Sequence, residues 1–251
     1  YDVVLLFKVL ILQSLYNLAD SAVEFQILDR YSFSRFLGLR AASSRHLEAG
    51  VKTQLAQGHR LDVAAFQIAS DDEIVVASSS GGRTVYTNAG RTRRTGVELA
   101  YSGQLNREWS AHVALSTLNA RFVDAMTAAG GGTVAAGNRI PGTVSRTAFA
   151  ELAWKPAALS GFSTAVEVLH QAGMMVDDVN SDRTGGYTVF NLRAGLEQRV
   201  GGWRLRQFVR LDNVGDKRYV GSVIVNDGNK RFFEPAPGRQ WMLGVSASHA
   251  F

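Results

Sequence analysis

The chain has 251 residues, 25 of them glycine and only 4 proline, with no cysteine and a net charge of +5. Without cysteine there is no disulfide framework and no thiolate metal site, and the basic residues are spread out rather than clustered as nucleic-acid binding requires. No stretch reaches the roughly 18–20 apolar residues of a membrane helix, while a mean hydropathy of −0.03 is what regular alternation of apolar and polar residues produces.

Val3 to Leu12 is apolar but lacks the basic flank and cleavage site of a signal peptide. Leu15, Leu18, Ala22 and Phe25 follow at near-helical spacing. From His46 the period becomes two, the signature of strands. Leu47, Ala49, Val51, Thr53 and Leu55 alternate with Glu48, Gly50, Lys52 and Gln54. After a turn at Gly58-His59-Arg60, Leu61, Val63 and Ala65 open a second strand, expected to run on through Ile74-Val75-Val76. Ser79-Ser80-Gly81-Gly82 turns the chain. A third strand carries Val97, Leu99 and Tyr101; Asn106-Arg107-Glu108 turns it into a fourth with Trp109, Ala111, Val113 and Leu115 on one face.

A Gly/Ala-rich loop over about 123–143 precedes a fifth strand, with Ala148, Ala150, Leu152 and Trp154 on one face and Thr147 and Glu151 on the other. The sixth shows Phe162, Thr164, Val166 and Val168. The seventh sets Phe190, Leu192, Ala194 and Leu196 against Asn191, Arg193 and Glu197. Gly201-Gly202 is a two-residue hairpin signal. In the eighth strand Trp203, Leu205, Gln207, Val209 and Leu211 share one face, and Arg204, Arg206, Arg210 and Asp212 the other. Three arginines on one strand face are costly in a dry core. They suit the wall of a water-filled lumen or the solvated face of a soluble sandwich. The last strand sets Trp241, Leu243 and Val245 against Met242, Gly244 and Ser246 and ends at Phe251.

Short turns near 58, 107, 158 and 201 alternate with long connections near 80, 130, 180 and 225. Trp109, Trp154, Phe162 and Trp203 sit by the short turns, where an interfacial aromatic girdle belongs. The expected fold is all-β: part of an antiparallel up-and-down transmembrane β-barrel of about nine to ten strands. Bacterial barrels use even strand numbers, so a ninth strand implies either a tenth upstream or a larger barrel. Glu151, Arg193, Glu197, Arg204, Arg206 and Arg210 should face the lumen. Leu192, Leu205, Leu211, Trp241 and Leu243 should face lipid.

Three segments carry a family resemblance. Leu211-Asp212-Asn213-Val214-Gly215-Asp216-Lys217-Arg218-Tyr219, followed by Arg231-Phe232-Phe233-Glu234-Pro235-Ala236-Pro237-Gly238-Arg239 and a strand ending in Phe251, resembles the C-terminal end of TonB-dependent outer-membrane receptors. Asp71-Asp72-Glu73-Ile74-Val75, Tyr86-Thr87-Asn88-Ala89-Gly90 and Arg94-Thr95-Gly96-Val97-Glu98 resemble a mid-barrel hairpin of iron-siderophore receptors. Ser44-Arg45-His46-Leu47-Glu48-Ala49-Gly50-Val51-Lys52 is the third. Together they span about residues 37–251.

The resemblance implies a twenty-two-stranded barrel, a plug domain inside it and ferric-siderophore uptake driven through TonB. The plug and roughly the first dozen strands have no counterpart here, and nothing matches the TonB box. The expectation is a Gram-negative outer-membrane receptor portion that does not transport alone. Its implied partners are a ferric siderophore or related chelate, TonB, outer-membrane lipid and the barrel-assembly machinery, which the terminal Phe251 would engage as an assembly signal. Residues 1–36 depart from the pattern: they are expected to be helical or out of frame, with a divergent strand and loop as the alternative.

No catalytic constellation is present: there is no Gly-x-Ser-x-Gly elbow, and His46, His59, His112, His170 and His249 lack metal-ligand spacing. No cofactor is expected. Asp177, Asp178 and Asp182 lack the EF-hand pattern and read as a polar loop. Phe122, Tyr187, Tyr219, Arg231 and Phe232 are ligand-contact candidates, since aromatic and cationic groups suit anionic ferric chelates; packing of loops against each other is the competing role. A passive porin or adhesin barrel and a soluble β-sandwich stand as alternative classes.

Overall fold

The computed structural model describes Lys8, Ile11 and residues 31–251 except 82, 129–131, 250 and 251. Phe251 and nearly all of the atypical N-terminal segment therefore lie outside the described residues. The first continuous element is a short helix, α1 (Tyr31–Phe36).

Nine strands make one antiparallel sheet: β1 (Ser43–Ala56), β2 (His59–Asp71), β5 (Thr92–Gln104), β6 (Trp109–Phe122), β9 (Arg146–Trp154), β10 (Phe162–Gln171), β11 (Tyr187–Val200), β12 (Trp203–Asp212) and β15 (Gln240–His249), in that lateral order. Three two-stranded hairpins ride in the long connections: β3 (Ile74–Ser80) with β4 (Arg83–Asn88), β7 (Met126–Thr127) with β8 (Thr133–Val134), and β13 (Val220–Val223) with β14 (Phe233–Pro235). Sequential strands of the main sheet are neighbours, the up-and-down order expected of a barrel wall. Among the described residues β1 and β15 each have a partner on one side only.

One expectation is corrected. The second strand does not continue into Ile74-Val75-Val76. It ends at Asp71, and Asp72 takes a positive φ of 51°, which turns the chain out of the sheet. Ile74–Ser80 then pairs with Arg83–Asn88 as a separate hairpin. An apolar run alone does not say which sheet it joins.

The short turns are built locally. Gly201 and Gly202 have φ of 56° and 85°, the doubly positive conformation of a type I′ hairpin, open to glycine without strain. Between β5 and β6, the Asn106 side-chain oxygen accepts the N–H groups of Glu108 and Trp109 at 2.9 and 3.0 Å. The Glu108 carboxylate accepts the Ala157 N–H at 2.8 Å and the Trp154 indole N–H at 3.2 Å, tying this turn to the next one. Those bonds hold its carboxyl below its ordinary pKa, the Ala157 N–H contributing most. Trp109 and Trp154 stack with centroids 5.7 Å apart beside these turns.

Burial is inverted relative to a water-soluble protein. The outward side chains of the sheet are apolar and uncovered: Trp241, Leu243 and Val245 are 68%, 78% and 77% exposed. The two clusters of buried apolar residues instead lie in the connections and at the loop end of β6. Phe33 and Leu37 pack with Val85 and Tyr86 of β4; Ala89, Ala120, Phe122, Val134 and Ile140 form a second cluster. A large contiguous apolar face left open marks a surface meant for another apolar phase, and a lipid-facing barrel wall has that requirement.

Candidate functional site

The register fixes which residues share a face. Arg210 pairs with Arg193, Arg206 with Glu197 and Arg204 with Arg199 between β12 and β11. Arg193 pairs with Ala165, and Glu167 pairs with both Asn191 and Glu151. Cross-strand partners point to the same side, so Glu151, Arg193, Glu197, Arg204, Arg206 and Arg210 share one face. Leu192, Leu205, Leu211, Trp241 and Leu243 share the other.

The charged face is an ion-pair network. Arg193 donates to Glu151 at 2.7 Å and reaches Glu167 at 3.3 Å. Arg210 makes a two-pronged contact with Glu167, at 2.7 and 2.9 Å, and a third bond to Asp212 at 2.8 Å. Glu197 gathers Arg206 at 2.8 Å, Arg204 at 3.5 Å and Arg199 at 3.9 Å. Glu167 is the centre, 6% exposed, yet sequence reasoning passed over it. The signal was available: it is the only charged residue in the sixth strand, opposite Val166 and Val168 in the alternation.

Aromatic rings lie over glycines on the same face. Phe66 lies across Gly96, and Phe208 across Gly244; a Cβ on either glycine would collide with the ring. The absence of a side chain lets each ring come in over the glycine backbone.

The five ligand-contact candidates do not form one cluster. Tyr187 and Tyr219 stack with ring centroids 4.0 Å apart, and the Tyr187 hydroxyl donates to Gln171 at 2.6 Å. Phe122 is buried in the loop core with Val134 and Ile140. Phe232 is buried beside Phe233, centroids 6.4 Å apart. Arg231 is exposed; its backbone N–H donates to Asp227 at 2.6 Å.

At the loop end the long connections are stitched together. Asn226, with a positive φ of 54°, donates from its side chain to the Val76 carbonyl at 2.6 Å and to Asp178 at 2.9 Å, and its side-chain oxygen accepts the Asp178 N–H at 3.0 Å. The Asn138 side chain donates to the Asp178 carbonyl at 2.9 Å. Asn180 exchanges bonds with the backbone of Arg139 at 2.8 Å each way. Four connections thus meet at Asp178 and Asn226. Burial pushes the Asp178 carboxyl up to about 6; the Asn226 hydrogen bond opposes that shift and the nearby Asp177 charge adds to it. Asp177 instead accepts from Ser181, and no group of three or more metal-ligating side chains occurs among the described residues. Closer to the sheet, Arg94 grips Glu73 at 2.6 and 2.7 Å. Burial works against the Glu73 charge, but the bonds from Arg94 and Thr92 outweigh it and hold the carboxyl below its ordinary pKa.

Comparison with known proteins agrees with this architecture. A family profile described as TonB dependent receptor-like, beta-barrel, matches residues 13–214. The ferric preacinetobactin receptor BauA of Acinetobacter baumannii superposes with a TM-score of 0.65 at 16% identity, over 81% of this chain and 29% of that one. The ferric yersiniabactin uptake receptor FyuA of Yersinia pestis gives 0.63 at 21%, over 82% and 29%. The copper transporter OprC gives 0.58 at 19%, over 85% and 32%. The chain thus spans less than a third of the length of these structures, which share its fold. It belongs to the TonB-dependent receptor β-barrel family, whose barrels lie in the Gram-negative outer membrane.

Proposed function

We propose that this chain forms part of the wall of a receptor for energised uptake of ferric siderophores or similar iron chelates. The observation that carries the reading is the pair of opposed faces: an uncovered apolar one toward lipid and an ion-paired one toward a lumen, in a sheet of this family. The mid-barrel hairpin resembling siderophore receptors supports iron chelates as the substrate class. Two of the three structural neighbours above are receptors for ferric chelates and the third is a copper transporter. Arg231 and the Tyr187–Tyr219 pair supply cationic and aromatic groups at the loop end, where an anionic chelate would arrive. TonB is the energising partner, acting through a plug domain. Among the described residues β1 and β15 are one-sided edges, and unsatisfied edges in lipid cost several kcal/mol per group, which supports the reading that this chain acts as part of a larger barrel rather than alone.

Grafting residues 43–251 in place of the matching strands of a ferric-siderophore receptor tests this. Uptake of a radio-iron chelate that still needs the proton gradient and TonB is the expected result. Passive leakage of small solutes with no energised uptake would refute the receptor reading. Energised uptake by the 251-residue chain alone would refute the claim that it does not act by itself.

A further inference from the structure

The loop end of the apolar face carries a row of arginines on the side away from the ion-paired network. Arg45 pairs with Ala69, Ala69 with Arg93, Arg93 with Arg121, and Arg121 with Arg139. Because cross-strand partners share a face, four guanidinium-bearing side chains spring from one lateral row, on the side of Val97 and Leu115. Arg146, opposite Thr117, stands on the same side on the next strand. Arg139, Arg146 and Arg183 line a depression of about 510 Å³, and Arg121 joins Arg139 and Arg146 around an adjoining one of about 570 Å³.

None of these six arginines has an acidic partner among the described residues; the ion pairs at this end engage Arg40, Arg91 and Arg94 instead. Arg121 bonds only to the Asn119 side chain at 2.8 Å and the Gly137 carbonyl at 2.5 Å. Asp71 stands farther out on β2, and Asp124 is taken by Arg91. Like charges directly opposite one another on a sheet repel, and no described residue supplies these arginines with a counter-charge, which leaves them open to an external anion. Height points to its source. Trp109, by the short turn, and Arg121 are the two ends of the outward face of β6. At ~3.3 Å rise per residue and a tilt of 35–45° that separation is about 30 Å of depth, just beyond an apolar band of ~25 Å. Arg121 lies where headgroups begin; Arg146, level with Thr117, starts about 10 Å deeper at the same rise and tilt and reaches the headgroups by extending its side chain upward.

We propose that Arg45, Arg93, Arg121, Arg139 and Arg146 bind phosphate groups of an anionic lipid in the leaflet at the loop end. The flat guanidinium fork matches phosphate oxygens in pairs, and a snorkelling arginine keeps its aliphatic stem against the acyl boundary. The site lies opposite the ion-paired face, so it can fail while the receptor reading stands.

Native mass spectrometry of the detergent-solubilised chain, offered phosphatidic acid and phosphatidylcholine together, tests it. Phosphatidic acid should be retained in preference. Combined Arg93→Gln, Arg121→Gln, Arg139→Gln and Arg146→Gln substitutions should cut that preference by on the order of fivefold or more, lysines at the same positions should restore much of it, and Arg107→Gln in a short turn should leave it unchanged. Equal preference in the glutamine variant, with sheet content preserved, would overturn the proposal. So would displacement of the lipid by millimolar inorganic phosphate, which would mark a free-anion site. If the variant does not fold, raised salt on the unmodified chain decides: preference should fall as charges are screened, and insensitivity would count against lipid-phosphate binding.

Discussion

Arg210 reaches over an intervening strand to grip Glu167 with two nitrogens, at 2.7 and 2.9 Å. The two residues stand on β12 and β10, with β11 between them, so the pair braces three strands at once. Replacing Glu167 by Ala leaves Arg210 and Arg193 facing each other without their shared anion. The expected loss is about 1–3 kcal/mol, the worth of a hydrogen-bonded charge, read as a lower urea midpoint for refolded protein. Glu167→Gln should lose less, since the amide still accepts one bond.

The two faces should respond oppositely to charge. Leu243→Arg puts a guanidinium on the 78% exposed apolar face. At mid-depth that costs roughly 2–4 kcal/mol of folding into a bilayer. Ser246→Glu puts a charge on the other face, opposite Arg206, and should change insertion little. Equal penalties for the two, measured by folding into lipid vesicles, would contradict the assignment of faces.

Gly244→Val should expel the Phe208 ring that lies over it. Overpacking of this kind costs about 1–3 kcal/mol. The double variant Gly244→Val with Phe208→Ala should recover part of the loss, a coupling that a double-mutant cycle reads directly.

Asp178 should make the loop end sensitive to pH. Its carboxyl is raised to about 6 from an ordinary value of 3.8. The folded loops therefore bind more protons than unfolded ones between about pH 4 and 6. The stabilisation is complete below the unfolded value and is lost as pH rises through the folded one. Hydrogen exchange at residues 174–180 and 224–229 should be slower at pH 4.5 than at pH 7.5 after correction for intrinsic rates. Asp178→Asn should flatten that difference and protect the loops at neutral pH.

Phe251 is expected to act as an assembly signal. Deleting it from the receptor graft described above should lower the amount of protein inserted into the outer membrane without changing its synthesis. Equal insertion of both forms would remove the role.

Much of the wall was legible in the sequence because the period-two pattern of each strand is set by lipid on one side and water on the other. Arg204, Arg206 and Arg210 declared their face through Leu205, Val209 and Leu211 between them. What escaped was long-range. Nothing in Ile74-Val75-Val76 announces that it leaves the sheet; the left-handed turn at Asp72 decides that. Asn226 reads as an ordinary loop asparagine, yet its partners Val76 and Asp178 are 150 and 48 residues away. The burial of Phe122 and Phe232 among the loops is likewise not written in their local sequence.

The stitching at Asn226 has a consequence for how the cell surface is perceived. Connections from distant parts of the chain are welded into one relief, so an antibody or phage tail fibre meeting this end would read a composite surface. Immunisation with a peptide covering residues 72–91 should then raise sera that bind denatured protein well and intact bacteria poorly.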